Sequence, residues 1–264
     1  IQNDDSVFEY NVGYRNEGGY FESMGLSDNN VCRFGVSVDD GQEDPNDGDR
    51  IHHANTIFLT GYAGAGETRV PPTNITVYNN LIVTTANLTQ HFSFQDSPKD
   101  VLFANNEWIV GNGTIELLSS TYDLAELVGE ANLIGGSAEA QLNFDSLPST
   151  TGTTRLATEA ASQYAAQLGE AVADYVNATP PALLRYAEVQ ARVCALAEPA
   201  AVTLAKSAMT PSSTPNARLY AGSGSGTLPA ADVDFCERAC EGGACAGFVG
   251  AIRPIAPPSP PPPS

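Results

Sequence analysis

The stretch "VYNNLIV", Val77–Val83, decides the fold. Its pattern, an asparagine followed by an apolar run, recurs along the chain. "SDNNVCRF" and "HHANTIFL" come before it, and "FANNEWIV" and "GEANLIGG" come after. The asparagines are Asn30, Asn55, Asn80, Asn106 and Asn132, at spacings of 25, 25, 26 and 26 residues. Two places after each lie Cys32, Ile57, Ile82, Trp108 and Ile134, all apolar. A period of roughly 20–50 residues marks a repeat architecture. Too little chain separates these pieces for a helix in every repeat. "NITVYNNLIV" and "KDVLFANNEWIV" alternate as strands do, bend at the asparagine and alternate again. The pattern predicts a mainly β protein, a right-handed parallel β-helix of five to six coils stacked at about 4.8 Å. All five asparagines are expected to form one ladder. Each would take the left-handed corner conformation and bond the coils above and below.

Composition divides the chain. Residues 1–145 hold 22 acidic and 5 basic side chains, a net of −17 out of −19 overall. That balance argues against a nucleic-acid partner, whose phosphates need lysine and arginine. No apolar run reaches the ~18 residues of a membrane span. With no basic-then-apolar leader at Ile1, the sequence reads as a mature or excised chain. Residues 1–148 are thus expected to be the β-helix, with an Ala-rich helical cap over 149–208. In "LATEAASQYAAQLGEAVADYV", Leu156, Ala160, Tyr164, Leu168, Val172 and Val176 fall at spacing four on one helical face. Pro180–Pro181 stops that helix, and "PALLRYAEVQARVCALAE" begins a second. Residues 209–229 read as a linker, 230–253 as a Cys-rich knot, and 254–264 as a polyproline II tail.

The cysteines and sequons point to secretion. Cys32, Cys194, Cys236, Cys240 and Cys245 are disulfide candidates, and the odd count leaves at least one thiol free or paired with another chain. A zinc site in the 236–245 cluster lacks a nearby histidine for its fourth ligand. Asn74, Asn87, Asn112 and Asn177 each begin an N-glycosylation sequon.

The insert "VDDGQEDPNDGDR" gathers carboxylates that repel one another unless a hard cation is present. Asp39, Asp40, Asp44, Asp47 and Asp49 are therefore the candidate calcium ligands. His52 and His53 would point to opposite strand faces and so do not share a metal. Asp96, Asp100, Glu107 and Glu116 lie on adjacent predicted coils, where a carboxylate pair would line a hydrolase groove. Tyr14, Tyr20, Phe21, Phe34, Tyr62 and Tyr78 are candidates for a sugar-stacking strip.

Two resemblances add to this. "GYAGAGETRVPPTNITVYNNLIVT" with "FSFQDSPKDVLFANNEWIVGNG" resembles the later coils of family-6-type alginate and chondroitin lyases, over roughly residues 17–136. It implies the β-helix fold and, as an activity, calcium-dependent polysaccharide cleavage by a lysine base and an arginine. No Glu-x-Glu pair with a nearby lysine occurs here; Lys99 is the sole lysine in the first 145 residues, and Arg15 is the nearest match to the family's arginine. The tail "PPSPPPPS" resembles the hydroxyproline-rich modules of green-algal cell-wall and flagellar-surface glycoproteins. It implies O-glycosylation at Pro257, Pro258, Ser259, Pro260, Pro261, Pro262 and Pro263. The combined expectation is a structural extracellular glycoprotein of a matrix or a mastigoneme-type filament. Its partners would be other such glycoproteins, copies of itself or polysaccharide. The alternatives are a lyase whose catalytic coils precede Ile1 and a carbohydrate-binding β-helix.

Overall fold

A computed structural model describes residues 4–16, 18–41, 55–119, 127–130, 132–136, 153–178, 185–207 and 236. Among them, fifteen strands labelled β1–β15 in chain order form three sheets in which every pairing is parallel. The first sheet holds β1 (Val7–Glu9), β4 (Val31–Arg33), β7 (Thr76–Tyr78), β10 (Val101–Ala104) and β13 (Leu127–Glu130). The second holds β2 (Val12–Tyr14), β5 (Val36–Val38), β8 (Leu81–Thr84), β11 (Glu107–Val110), β14 (Leu133–Gly135) and β15 (Thr154–Leu156). The third holds β3 (Phe21–Ser23), β6 (Asn55–Leu59), β9 (Leu88–Phe94) and β12 (Gly113–Ser119). Successive strands from β1 to β12 therefore visit the three sheets in turn. Short β-branched strands broken by Gly, Asn and Asp make this possible, because each strand ends before it can pair with its sequence neighbour.

All three sheets contribute to one core. Cys32, Val77 and Phe103 come from the first, Ile82, Trp108 and Ile134 from the second, and Ile57, Phe92 and Ile115 from the third. Phe92, Phe103 and Trp108 meet there with ring centroids 5.4–6.2 Å apart. Trp108 Nε1 donates to Gln90 Oε1 at 2.9 Å, so the indole is buried without an orphaned donor.

The asparagine ladder is real but shorter than the spacing predicts. Asn80 N and Nδ2 both donate to Asn106 Oδ1 at 3.0 Å. Asn106 N and Nδ2 donate to Asn132 Oδ1 at 2.9 and 3.2 Å. Asn30 and Asn55 do not belong to it. Asn30 sits at the entry to β4, where its Oδ1 accepts from Ser6 N at 3.0 Å. Asn55 lies in the third sheet opposite His91. The rung before Asn80 is Gly35, whose N donates to Asn80 Oδ1 at 3.0 Å. A side chain at that position would put its Cβ 1.5 Å from Tyr20 Oη. The register pairs Arg33 with Tyr78, so a single circuit of 45 residues runs from Gly35 to Asn80. The 25-residue steps through Asn30 and Asn55 total 50 residues and do not follow that register. The corner and the ladder are also separate jobs. In the pairs Asn79–Asn80 and Asn105–Asn106 the first residue takes φ of +54°, and the second makes the buried ladder bonds.

Three helices cover the outer face of the second sheet: α1 (Thr158–Ala178), α2 (Tyr186–Cys194) and α3 (Ala200–Ser207). The sequence predicts a cap over the stack's end; instead α1 runs along β8, β11 and β14. The reason is that this sheet is apolar on both faces. Val36, Val38, Leu81, Val83, Ile109 and Leu133 point outward and bury against Ala161, Tyr164, Ala165, Leu168 and Val172. Leu156, expected on the helical face, belongs to β15 instead. Gly111 lets α1 approach closely, since a Cβ there would meet Ala165 Cβ at 2.7 Å.

A disulfide joins Cys194 at the end of α2 to Cys236, 42 residues on. Closing a loop of that length restricts the unfolded chain by about 4 kcal/mol. Cys32, also expected in a disulfide, is a free thiol fully buried in the core. Burial pushes its pKa well up and holds it as a thiol, so it packs as a small apolar residue. Cys240 and Cys245, the linker and the polyproline tail lie outside the described residues.

Replacing Asn106 by alanine leaves Asn80 N and Val77 O without their side-chain partner in a dry interior, and Asn132 Oδ1 keeps only the main-chain donor Asn106 N. Each buried orphan costs ~1–3 kcal/mol, so Asn106→Ala should destabilise by about 3 kcal/mol or more in denaturant titration. Asn112→Ala, on the exposed corner, should change stability by less than about 0.5 kcal/mol.

Candidate functional site

Two sequons lead into neighbouring strands of the third sheet, on a side that no described helix covers. Asn87 and Asn112 are exposed, each one residue before the paired Leu88 and Gly113. They thus lead into neighbouring strands of one sheet, whose spacing is about 4.8 Å. Their sequon hydroxyls also meet, with Thr114 Oγ1 3.1 Å from Thr89 Oγ1. Two residues along, His91 Nε2 lies 3.3 Å from Glu116 Oε2 on the same outward face. Asn177, near the end of α1, is exposed as well. Asn74 differs from these three. It holds φ of +54°, and its Nδ2 donates to Asn29 Oδ1 at 3.0 Å in a second corner stack. Its amide nitrogen is committed to the fold and is a poor glycan acceptor.

The two described members of the expected calcium set face inward. Asp39 and Asp40 are fully buried. Asp39 Oδ1 accepts from Thr85 N at 2.6 Å and Ala86 N at 3.1 Å, and its Oδ2 accepts from Thr85 Oγ1 at 2.7 Å. Asp40 Oδ1 accepts from Asn16 N at 2.9 Å and Asn16 Nδ2 at 3.0 Å, and its Oδ2 from Ser37 Oγ at 2.8 Å. With each oxygen already holding a donor, neither carboxylate suits a cation. They tie neighbouring turns together instead: Asp40 holds the turn after β2, and Asp39 holds the turn after β8. Asp44, Asp47 and Asp49, together with His52 and His53, lie outside the described residues. Among the described residues no three His, Cys, Asp or Glu side chains converge as a metal site.

The four carboxylates expected to line a groove are dispersed. Asp96 Oδ2 pairs with Arg69 Nη1 at 2.5 Å and accepts from Thr60 Oγ1 and Gly61 N, both at 3.1 Å. Asp100 occupies a corner at φ of +50°. Glu116 faces His91. Glu107 is on the opposite side, beneath the helices, where Lys206 Nζ donates to its Oε1 at 2.7 Å and Tyr164 Oη to its Oε2 at 3.1 Å. Lys206 also bonds Glu198. Its ammonium is fully enclosed, which makes this cluster a clasp between β11 and α3. Sequence reasoning missed the clasp. Its one signal was a glutamate at the head of the otherwise apolar strand "EWIV". The aromatic strip is also dispersed: Tyr20, Phe21, Phe34 and Tyr78 are buried, and Tyr62 is 37% exposed beneath Arg69.

No family model, curated protein or solved structure matches the chain.

Burial pushes the Asp40 carboxyl up to about 6, with the charge of Asp39 acting in the same direction and the donors of Asn16 and Ser37 opposing. A raised native pKa means that the folded chain binds the proton better than the unfolded one. The stability this gives is present below the ordinary carboxylate pKa and is lost as pH rises through the native value. Between about pH 4 and pH 6, wild type should therefore lose about 3 kcal/mol relative to Asp40→Asn. Urea melts across that range check it, and a pH-independent difference would refute it.

Proposed function

We propose that this chain is a structural, secreted glycoprotein of an extracellular matrix or surface filament, built on a right-handed parallel β-helix. The winding is supported by strands that visit three parallel sheets in strict rotation around one shared core. The observation that carries the functional reading is the in-register, exposed pair of sequons at Asn87 and Asn112, on the side of the stack that no described helix covers. The Cys194–Cys236 disulfide supports an oxidising compartment. No described helix is long and apolar enough to cross a membrane. The resemblance of the tail to hydroxyproline-rich wall and flagellar modules supports a tethered role, with other matrix glycoproteins as partners.

The test is expression of the whole chain through a eukaryotic secretory pathway, followed by intact mass before and after enzymatic removal of N-glycans. A mass loss is expected, reduced in Asn87→Gln, Asn112→Gln and Asn177→Gln and unchanged in Asn74→Gln. Secretion with no glycan at any of these positions would overturn the reading.

A further inference from the structure

The clasp between β11 and α3 holds more chemistry than an ion pair needs. The chain has two lysines, and the side chain of one, Lys206, is fully enclosed. Glu107 is enclosed to the same degree, and its register neighbours Leu81 and Leu133 are fully buried. Lys206 Nζ donates to Glu107 Oε1 at 2.7 Å and also to Glu198 Oε1, so one amine touches two carboxylates. Tyr164 Oη donates to Glu107 Oε2 at 3.1 Å, and the centroid of its ring lies 5.7 Å from Lys206 Nζ. Glu198 is held through its other oxygen, Oε2, by Thr203 Oγ1 at 2.8 Å. Apolar residues of similar volume commonly fill such a site at least as well as an enclosed ion pair. This cluster instead collects the parts of an acyl transfer. It has an amine nucleophile, a carboxyl group beside it, a donor on that carboxyl's far oxygen, and a second carboxylate in contact with the amine to carry protons.

We propose that Lys206 and Glu107 join in an intramolecular isopeptide bond, formed by the folded chain itself. Glu198 takes a proton from the Lys206 ammonium, which frees the nitrogen lone pair. Nζ then attacks Glu107 Cδ. Oε1 is bonded to that carbon and already touches Nζ, so packing alone brings the reacting groups together. Negative charge develops on Oε2, where Tyr164 Oη donates. The Cδ–Oε1 bond breaks and Oε1 leaves as water, with two protons that came from nitrogen by way of Glu198. Oε2 stays as the amide oxygen, and Glu198 ends as it began. One ammonium and one carboxylate thus give one amide and one water, with no oxidant and no other reactant. Two enclosed charges become a neutral group, which favours the product. The bond would tie β11 to α3 across 99 residues, and it would survive the reduction that opens Cys194–Cys236.

The experiment is the intact mass of the whole chain, produced without glycans, folded, then reduced and denatured. The chain should be lighter than its sequence by one water. Proteolysis and fragmentation should place that loss in a branched peptide that joins the segment around Glu107 to the segment around Lys206. Glu198→Gln keeps the size and hydrogen-bonding reach of the side chain but cannot carry the proton. It should fold, slow the bond by roughly a hundredfold or more, and so leave most chains at full mass. Lys206→Arg removes the nucleophile and keeps the charge, and it should show full mass throughout. Wild type at full mass after folding and prolonged incubation overturns the proposal, whatever the variants do. A water lost anywhere else in the chain, or a bond from Lys206 to Glu198, also overturns it. Complete bond formation in Glu198→Gln would overturn the role given to Glu198.

Discussion

The interaction on which the rest depends is the buried amide stack of Asn80, Asn106 and Asn132. An amide carries both donors and an acceptor, so identical side chains can satisfy one another when stacked at strand spacing. Here Asn106 Oδ1 and Asn132 Oδ1 each receive two donors from the preceding rung, and Asn80 Oδ1 receives Gly35 N and Tyr20 Oη. Each Nδ2 also reaches a main-chain carbonyl of a first-sheet strand: Cys32 and Tyr78, Val77, and Phe103. These bonds lie in a dry interior, where a shift of one residue would orphan several polar groups at once. Register is therefore fixed at this corner, and the apolar columns of all three sheets follow from it.

The core and the helical layer divide the second sheet's side chains by strand alternation. Ile82 and Trp108 turn inward to the shared core, while Leu81, Val83 and Ile109 turn outward to the helices. The helical layer is held at two further points. The Lys206–Glu107 clasp pins α3 to β11, and the Cys194–Cys236 bond ties the end of α2 to a distant part of the chain. Removing Lys206 would leave Glu107 enclosed without its cation, whereas Lys206 keeps Glu198 when Glu107 is removed.

Much of this was legible in the sequence. Local alternation around Asn80 and Asn106 gives the strands, and their 26-residue interval gives the stacking. Spacing of four from Ala160 to Val176 gives α1. What was hidden depended on tertiary placement. Asn30 and Asn55 kept the period numerically but sit elsewhere, Asn30 at the entry to β4 and Asn55 in β6. Asp39 and Asp40 read as calcium ligands in an acidic insert, yet both close against backbone donors from neighbouring turns. Glu107 and Lys206 are 99 residues apart, and no local pattern joins them. Among the described residues, Asp39, Asp40, Asp96 and Glu107 bond within the fold, and the sequon asparagines Asn87, Asn112 and Asn177 are exposed.

The unequal circuits have a further consequence. Rungs in the first sheet are separated by 24, 45, 26 and 26 residues, yet the strands align equally well throughout. Doubling a loop adds only about 0.6 kcal/mol of closure entropy, far less than a broken rung. The scaffold therefore keeps time at one corner and leaves the others free to lengthen. Selection, or an engineer, can graft new peptide into those corners and change what the surface offers without renegotiating the fold.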